Sequence, residues 1–338
     1  MIHVVHGLAR GGRVRRAEYV RRFFDSQAIV VGCLDDECRC AGLGLRSIGS
    51  TPKRLLCSAL TQAIRFERTK DARPVLICAW STEDALELAS VFQRLLLIAD
   101  SPPPPGVDSD LTARIEVIAP DADVARAWSR SGAHRTRILP PCALAAWGPS
   151  SSDAGGPISV ALFPREGGSE EEAVSLLHRV GLAHIGGVEA EIRVNASDPS
   201  FDVMFDYAQQ TLFDSAIYPM ESGAFPGNTQ VAMVAGVRDA HTDERVLDLL
   251  AQGVAVMVFR DEPFEADEAI SFEACGIEQF QSAETNAGAR VLTILSEDRS
   301  FLRVAQSRAR DFASTRDPRE WCTTLGVAAS SMSASKAD

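Results

Sequence analysis

Arg245-Val-Leu-Asp-Leu-Leu-Ala-Gln-Gly-Val-Ala-Val-Met-Val-Phe259 decides how this chain folds. Val246, Leu247 and Leu250 recur at helical spacing, so residues 243–252 read as an amphipathic helix. Thr242 or Asp243 can cap its start, and Gly253 can close its end. The chain then runs straight into the apolar stretch Val254–Phe259. Such a run, with no polar alternation, suits a parallel strand covered on both faces.

The same alternation extends in both directions. Upstream, strands are expected at 2–6, 28–32, 44–49, 74–80, 95–99, 114–119 and 136–139. Helices are expected from about residue 14, over 51–68, over 81–93 and over 121–131. After residue 157 the pattern restarts, with strands near 158–163, 190–195, 215–219, 230–235, 254–259 and 277–281. Its helices fall near 169–180, 200–212, 243–252, 284–296 and 299–313. Apolar strands alternating with amphipathic helices predict α/β architecture around parallel sheets. Residues 148–157, rich in Ser, Gly, Pro and Asp, form the clearest linker.

With 338 residues, nearly half of them apolar, the chain can fill two cores. No run reaches the length of a membrane span, and the first residues begin a strand rather than a secretory signal. The expected location is cytoplasmic. A net charge of -12 argues against nucleic acid as a partner. Residues 1–70 are locally basic, with 13 Lys/Arg against 6 Asp/Glu. That could draw a phosphate-bearing ligand, though a solvated face carrying Arg15, Arg16, Arg21 and Arg22 explains it more simply.

Of the eight cysteines, Cys78 lies within an apolar strand and reads as a small hydrophobe. Cys33, Cys38 and Cys40 are close enough in sequence to share a metal with Cys57 or a His. They lack the paired spacing of structural zinc sites, however, and no metal is expected.

Several segments resemble GT-B glycosyltransferases, in particular the nucleotide-sugar-dependent glycosyltransferase family four. The first strand leads into His6-Gly-Leu-Ala-Arg-Gly-Gly12, similar to the family's Gly-Gly loop. Ile115–Asp121 followed by Gly132–Pro141 is similar to its strand, helix and Pro-terminated strand. Glu273–Phe280, the helix from Glu284, and Ser307-Arg-Ala-Arg-Asp-Phe312 follow its closing order. Trp321 resembles the aromatic of the segment that crosses back to the first domain.

The resemblance implies a GT-B-like fold, with two doubly wound Rossmann-like domains facing across a cleft. The implied domains are an acceptor-side domain over 1–147, a linker over 148–157 and a donor domain over 158–313. A closing segment over 314–326 and a disordered tail over 327–338 would follow. It implies transfer of a sugar from a nucleoside-diphosphate sugar to a glycan, lipid or small-molecule acceptor, without metal or other cofactor. A lipid acceptor would bring peripheral membrane contact. The alternative is a catalytically inactive GT-B-like binding or assembly protein.

Candidate residues follow. Gly11 and Gly12 would let backbone amides approach a phosphate or acceptor. Arg165, Gly167 and Gly168 occupy the corresponding loop of the second half, where Arg165 could grip a diphosphate bidentately. Asp248 stands where the family's ribose-binding acid stands, five positions before Gly253. The acid expected eight positions earlier is replaced by Ala240, with Asp239 adjacent. His6 and Asp239 are the catalytic candidates. His241 lies in a plausible loop, and the family's His after the fourth strand is replaced here by Trp80 and Ser81.

Overall fold

The computed structural model describes residues 2–6, 19–20, 23, 27–31, 46–47, 77–79, 82–92, 95–143, 156–165, 168–195, 200–211, 217–220, 229–236, 240–261 and 271–334. The helix expected over 51–68 lies outside these residues, and of the helix expected from residue 14 only residues 19–20 and 23 are described, all helical. Gly11, Gly12, Cys33, Cys38, Cys40, Cys57, Gly167, Asp239 and most of the linker also lie outside the described residues.

The chain divides into two compact units. The first comprises Met1–Leu144 with Pro318–Asp338, and the second comprises Ala145–Asp317.

In the first unit, seven strands form one sheet: β1 (Ile2–His6), β2 (Gln27–Val31), β3 (Arg46–Ser47), β4 (Ile77–Ala79), β5 (Leu95–Ile98), β6 (Ile115–Ala119) and β7 (Arg135–Ile138). Their order is β3-β2-β1-β4-β5-β6-β7, and every pairing is parallel. Leu95–Ile98 and Ile115–Ala119 are buried along their whole length, as parallel central strands require. Helices α1 (Thr82–Ala89), α2 (Ser109–Thr112) and α3 (Ala122–Arg130) connect them. Asp121 caps α3 by accepting the amides of Asp123 and Val124, each at 2.8 Å. Trp128 of α3 is fully buried, and its indole donates to the Ser101 carbonyl at 3.0 Å. Burial pushes the Cys78 thiol pKa up, so this cysteine behaves as core.

The second unit holds β8 (Ile158–Phe163), β9 (Ala190–Asn195), β10 (Ile217–Met220), β11 (Val231–Ala235), β12 (Ala255–Phe259) and β13 (Ile277–Phe280). They form a parallel sheet of order β10-β9-β8-β11-β12-β13. Its helices are α4 (Glu170–Ile185), α5 (Phe201–Gln210), α6 (Ala240–Ala251), α7 (Phe272–Cys275), α8 (Thr285–Glu297) and α9 (Arg299–Ser314). Buried Leu176, Leu177, Val180, Met233, Met257, Leu292 and Leu295 contribute to one core.

At the amino end of this sheet, Gln230 ties several elements together. Its backbone and side chain bond both backbone groups of Ser159, and Arg299 reaches from α9 to its Oε1 at 3.4 Å. Gly276 closes α7 at φ +74°. A Cβ there would lie 2.6 Å from both the Ala305 carbonyl and the Ala309 Cβ, so the absence of a side chain is what lets α7 dock on α9.

Of three boundaries, two differ from expectation and the one at Gly253 agrees with it. Helix α6 starts at Ala240, so Thr242 and Asp243 sit inside its first turn rather than capping it. Gly253 follows the helix in the left-handed conformation, φ +75°. A last helix, α10 (Pro318–Ala334), continues beyond Val327 through Ser/Ala-rich sequence expected to be disordered; alanine's high helix propensity is consistent with this. Among the described residues, no helix is long and apolar enough to cross a membrane.

Candidate functional site

The strand order of the second unit reverses between β8 and β11. The chain leaves β8 toward β9 and β10, then returns to β11 and continues to the opposite edge. Connections at the carboxyl ends of β8 and β11 therefore diverge and leave a crevice, where open parallel sheets take their ligands. Pro164, Arg165 and Gly168 follow β8, and Gly236 follows β11.

The β8 turn is tight. The Gly168 amide donates to the Arg165 carbonyl at 3.0 Å. A Cβ on Gly168 would lie 2.9 Å from Glu172 Oε2, 3.0 Å from that carbonyl and 3.1 Å from the Arg165 Cβ. Ser169 then caps α4, its Oγ accepting the Glu172 amide at 3.2 Å. Arg165 is exposed, so its guanidinium is available to a ligand.

Other elements bring charge to the same end. Arg245 of α6 donates to the Pro164 carbonyl at 3.4 Å and stands over the Phe163 ring at 5.7 Å. Arg260, just beyond β12, faces Asp243 of α6 at 4.0 Å. Asp261 is near enough to Glu172 to act on its titration. Burial raises the Glu172 pKa, Arg165 draws it back down, and Asp261 raises it further. Arg165, Glu172, Asp261, Arg260, Asp243 and Arg245 thus belong to one end of one unit.

The expected residues fare unevenly. Arg165 and Gly168 meet in the β8 turn. Asp248 lies in the third turn of α6 and is only 5% exposed, with Val246, Leu247, Leu249 and Leu250 buried around it. His6 ends β1 in the other unit, where the first sheet reverses between β1 and β4. Gly11, Gly12, Gly167 and Asp239 lie outside the described residues, and His241 falls in the first turn of α6.

Sequence reasoning passed over Arg245, Arg260, Asp261 and Glu172. Position alone could have flagged Arg260 and Asp261, because both directly follow a strand predicted to end at residue 259. Arg245 gave no such signal, because helical spacing does not reveal which strand a side chain reaches.

A structural comparison decides the architecture. A glycosyltransferase from Rickettsia africae superposes with a TM-score of 0.71 at 8% identity, covering 99% of this chain and 98% of that one. HepE of Anabaena, solved with UDP and glucose, gives 0.73 at 14% identity, covering 98% and 99%. This chain has the GT-B fold. Sucrose-phosphate synthase from Thermosynechococcus elongatus is also similar, with a TM-score of 0.68 at 13% identity and 99% coverage of both chains. At these identities the likeness concerns the fold alone. No protein-family profile and no curated protein sequence matches the chain.

Proposed function

We propose that this GT-B protein binds a nucleoside-diphosphate sugar at the β8–β11 crevice of its second unit. It would transfer the sugar to a glycan, lipid or small-molecule acceptor. The supporting observation is the gathering of Arg165, Arg245 and Arg260 at the carboxyl end of the sheet, with Arg165 exposed. A guanidinium pairs with phosphate bidentately, and cations aimed at a departing diphosphate stabilise charge as it develops. Leaving-group stabilisation is thus assigned to arginine rather than to a metal. Arg165 and Gly168 are the donor contacts we propose first. His6 and Asp239 remain the catalytic candidates, and the Gly11–Gly12 loop the acceptor-side candidate.

A second reading, a GT-B scaffold that binds or assembles without catalysis, is favoured by two observations. The first turn of α4 carries Glu170, Glu171 and Glu172, which oppose an anion at that helix end. Asp248, the expected ribose contact, is buried.

Calorimetry with UDP, GDP and their hexose conjugates, paired with a sugar-transfer assay, separates the readings. Binding that weakens at least tenfold in Arg165→Ala, accompanied by turnover, supports the transferase. Binding without turnover supports the scaffold. If no nucleotide binds, the donor site proposed here is wrong.

A further inference from the structure

Arg179 lies in the third turn of α4, the helix that follows the β8 turn, and is 2% exposed. Its Nη1 donates to the Ser175 carbonyl at 2.8 Å and to the Ser175 Oγ at 2.6 Å. Its Nη2 donates to the carbonyl of Ser282, 103 residues later, in the turn after β13. The guanidinium carbon stands 4.3 Å from the centroid of Phe259, the last residue of β12. Phe259 in turn stacks on Phe280, the last residue of β13, with centroids 5.2 Å apart.

The space around the guanidinium is built closely. Helix α8 approaches through Gly288, where a Cβ would come within 2.8 Å of the Phe259 ring and 3.2 Å of the Arg179 Cδ. Arg179 Nε has no hydrogen-bond partner among the described residues, and Arg179 has no carboxylate partner among them either.

A buried cation without a counter-ion is an expensive way to fill a core. Even a buried ion pair can often be replaced by apolar side chains of similar volume at no cost to stability, and Arg179 lacks the attraction of a partner charge among the described residues. What the guanidinium adds over methionine is direction: a fixed hold on one carbonyl and on one ring. Both belong to strand exits at the carboxyl end of the sheet, the end that holds the crevice. The Arg260 amide donates to the Phe280 carbonyl at 3.0 Å, so the two exits that Arg179 touches are also joined to each other.

We infer that Arg179 is a positioning residue for the crevice, holding the β12 and β13 exits in register so that Arg260 and Asp261 are presented to the donor. This rests on the nucleotide-sugar reading for its ligand, but not for its effect on the protein itself. Arg179 touches no substrate in this role and acts through Phe259 and Ser282.

The test compares Arg179→Met and Arg179→Lys with the unaltered chain, using UDP as probe. Arg179→Met should unfold at the same or higher urea concentration, yet bind UDP about tenfold more weakly, the scale of one hydrogen bond from a charged donor. Arg179→Lys should recover part of that loss. Hydrogen exchange should speed up at the Arg260 amide and across residues 281–284, while the β8 and β11 amides stay protected. A purely structural Arg179 would instead lower the urea midpoint and leave UDP affinity unchanged. That result, or unchanged exchange at Arg260, overturns the inference. If the unaltered chain binds no UDP, the nucleotide reading fails, and the exchange measurement alone decides the positioning role.

Discussion

Arg245 reaches back 81 residues to the carbonyl of Pro164, joining α6 to the exit of β8 at 3.4 Å. The contact crosses the place where the sheet reverses direction, and it packs the guanidinium over Phe163. One side chain therefore sets the spacing between the two elements that border the crevice.

Truncating that side chain should loosen the β8 turn without unfolding the unit. For Arg245→Ala we expect a stability loss of about 1 kcal/mol in urea unfolding and about fivefold weaker UDP binding by calorimetry. Unchanged UDP affinity in a folded variant would show that the tether does not shape the site.

Gly168→Ala tests whether the turn must be that tight. The added methyl would meet the Arg165 carbonyl at 3.0 Å and Glu172 Oε2 at 2.9 Å. Glu172 can swing aside, whereas the carbonyl belongs to the turn. We expect a cost of about 1–2 kcal/mol and a larger proportional loss in nucleotide binding than in thermal stability. A variant that binds as well as the parent would remove Gly168 from the donor contacts.

Gly276→Ala should be far more damaging, although it lies at the other end of the sheet. Its backbone is left-handed, and a methyl would lie 2.6 Å from the backbone oxygen of Ala305. Strain and overpacking together are expected to cost about 3 kcal/mol or more. Urea denaturation is the direct check; a midpoint within error of the parent would contradict the close α7–α9 packing.

Glu172 carries a pH signature with a definite sign. Its pKa is raised from the ordinary 4.5, chiefly by burial, with Arg165 opposing and Asp261 adding to the rise. The folded state thus holds this proton more tightly than the unfolded chain, so the contribution of Glu172 to stability declines as pH climbs above 4.5 toward the raised value. Glu172→Gln removes that decline. The difference in melting temperature between variant and parent should grow in the variant's favour as pH rises from 4.5 to neutrality, and a difference independent of pH would refute the assignment. Losing a carboxylate beside Arg165 should also tighten UDP binding by about threefold, an effect weakened by salt.

Local pattern carried much of the fold. Leu95–Ile98, Val231–Ala235 and Ala255–Phe259 are apolar throughout, and all three are buried strands. Gly253 was legible as a helix end because few other residues tolerate the conformation it adopts. The site was less legible. Arg165 and Gly168 stand in a loop that strand counting located, whereas Arg245, Arg260 and Glu172 join them through packing. Asp248 shows a different limit: its spacing from Gly253 resembles a ligand contact, but spacing says nothing about what covers a helix, and the side chain is buried.

By itself, the sequence determined the kind and order of the elements, because hydrophobic period and glycine placement act over a few residues. It also settled that the two halves repeat one plan. Only the tertiary structure decided the strand order β10-β9-β8-β11-β12-β13, and with it the position of the crevice. Strand pairing and helix docking are choices among distant partners, and no local period encodes which side chains they bring together. That is why Arg179 reads in sequence as one helical arginine among several, and in the fold as a buried cation gripping a turn 103 residues away.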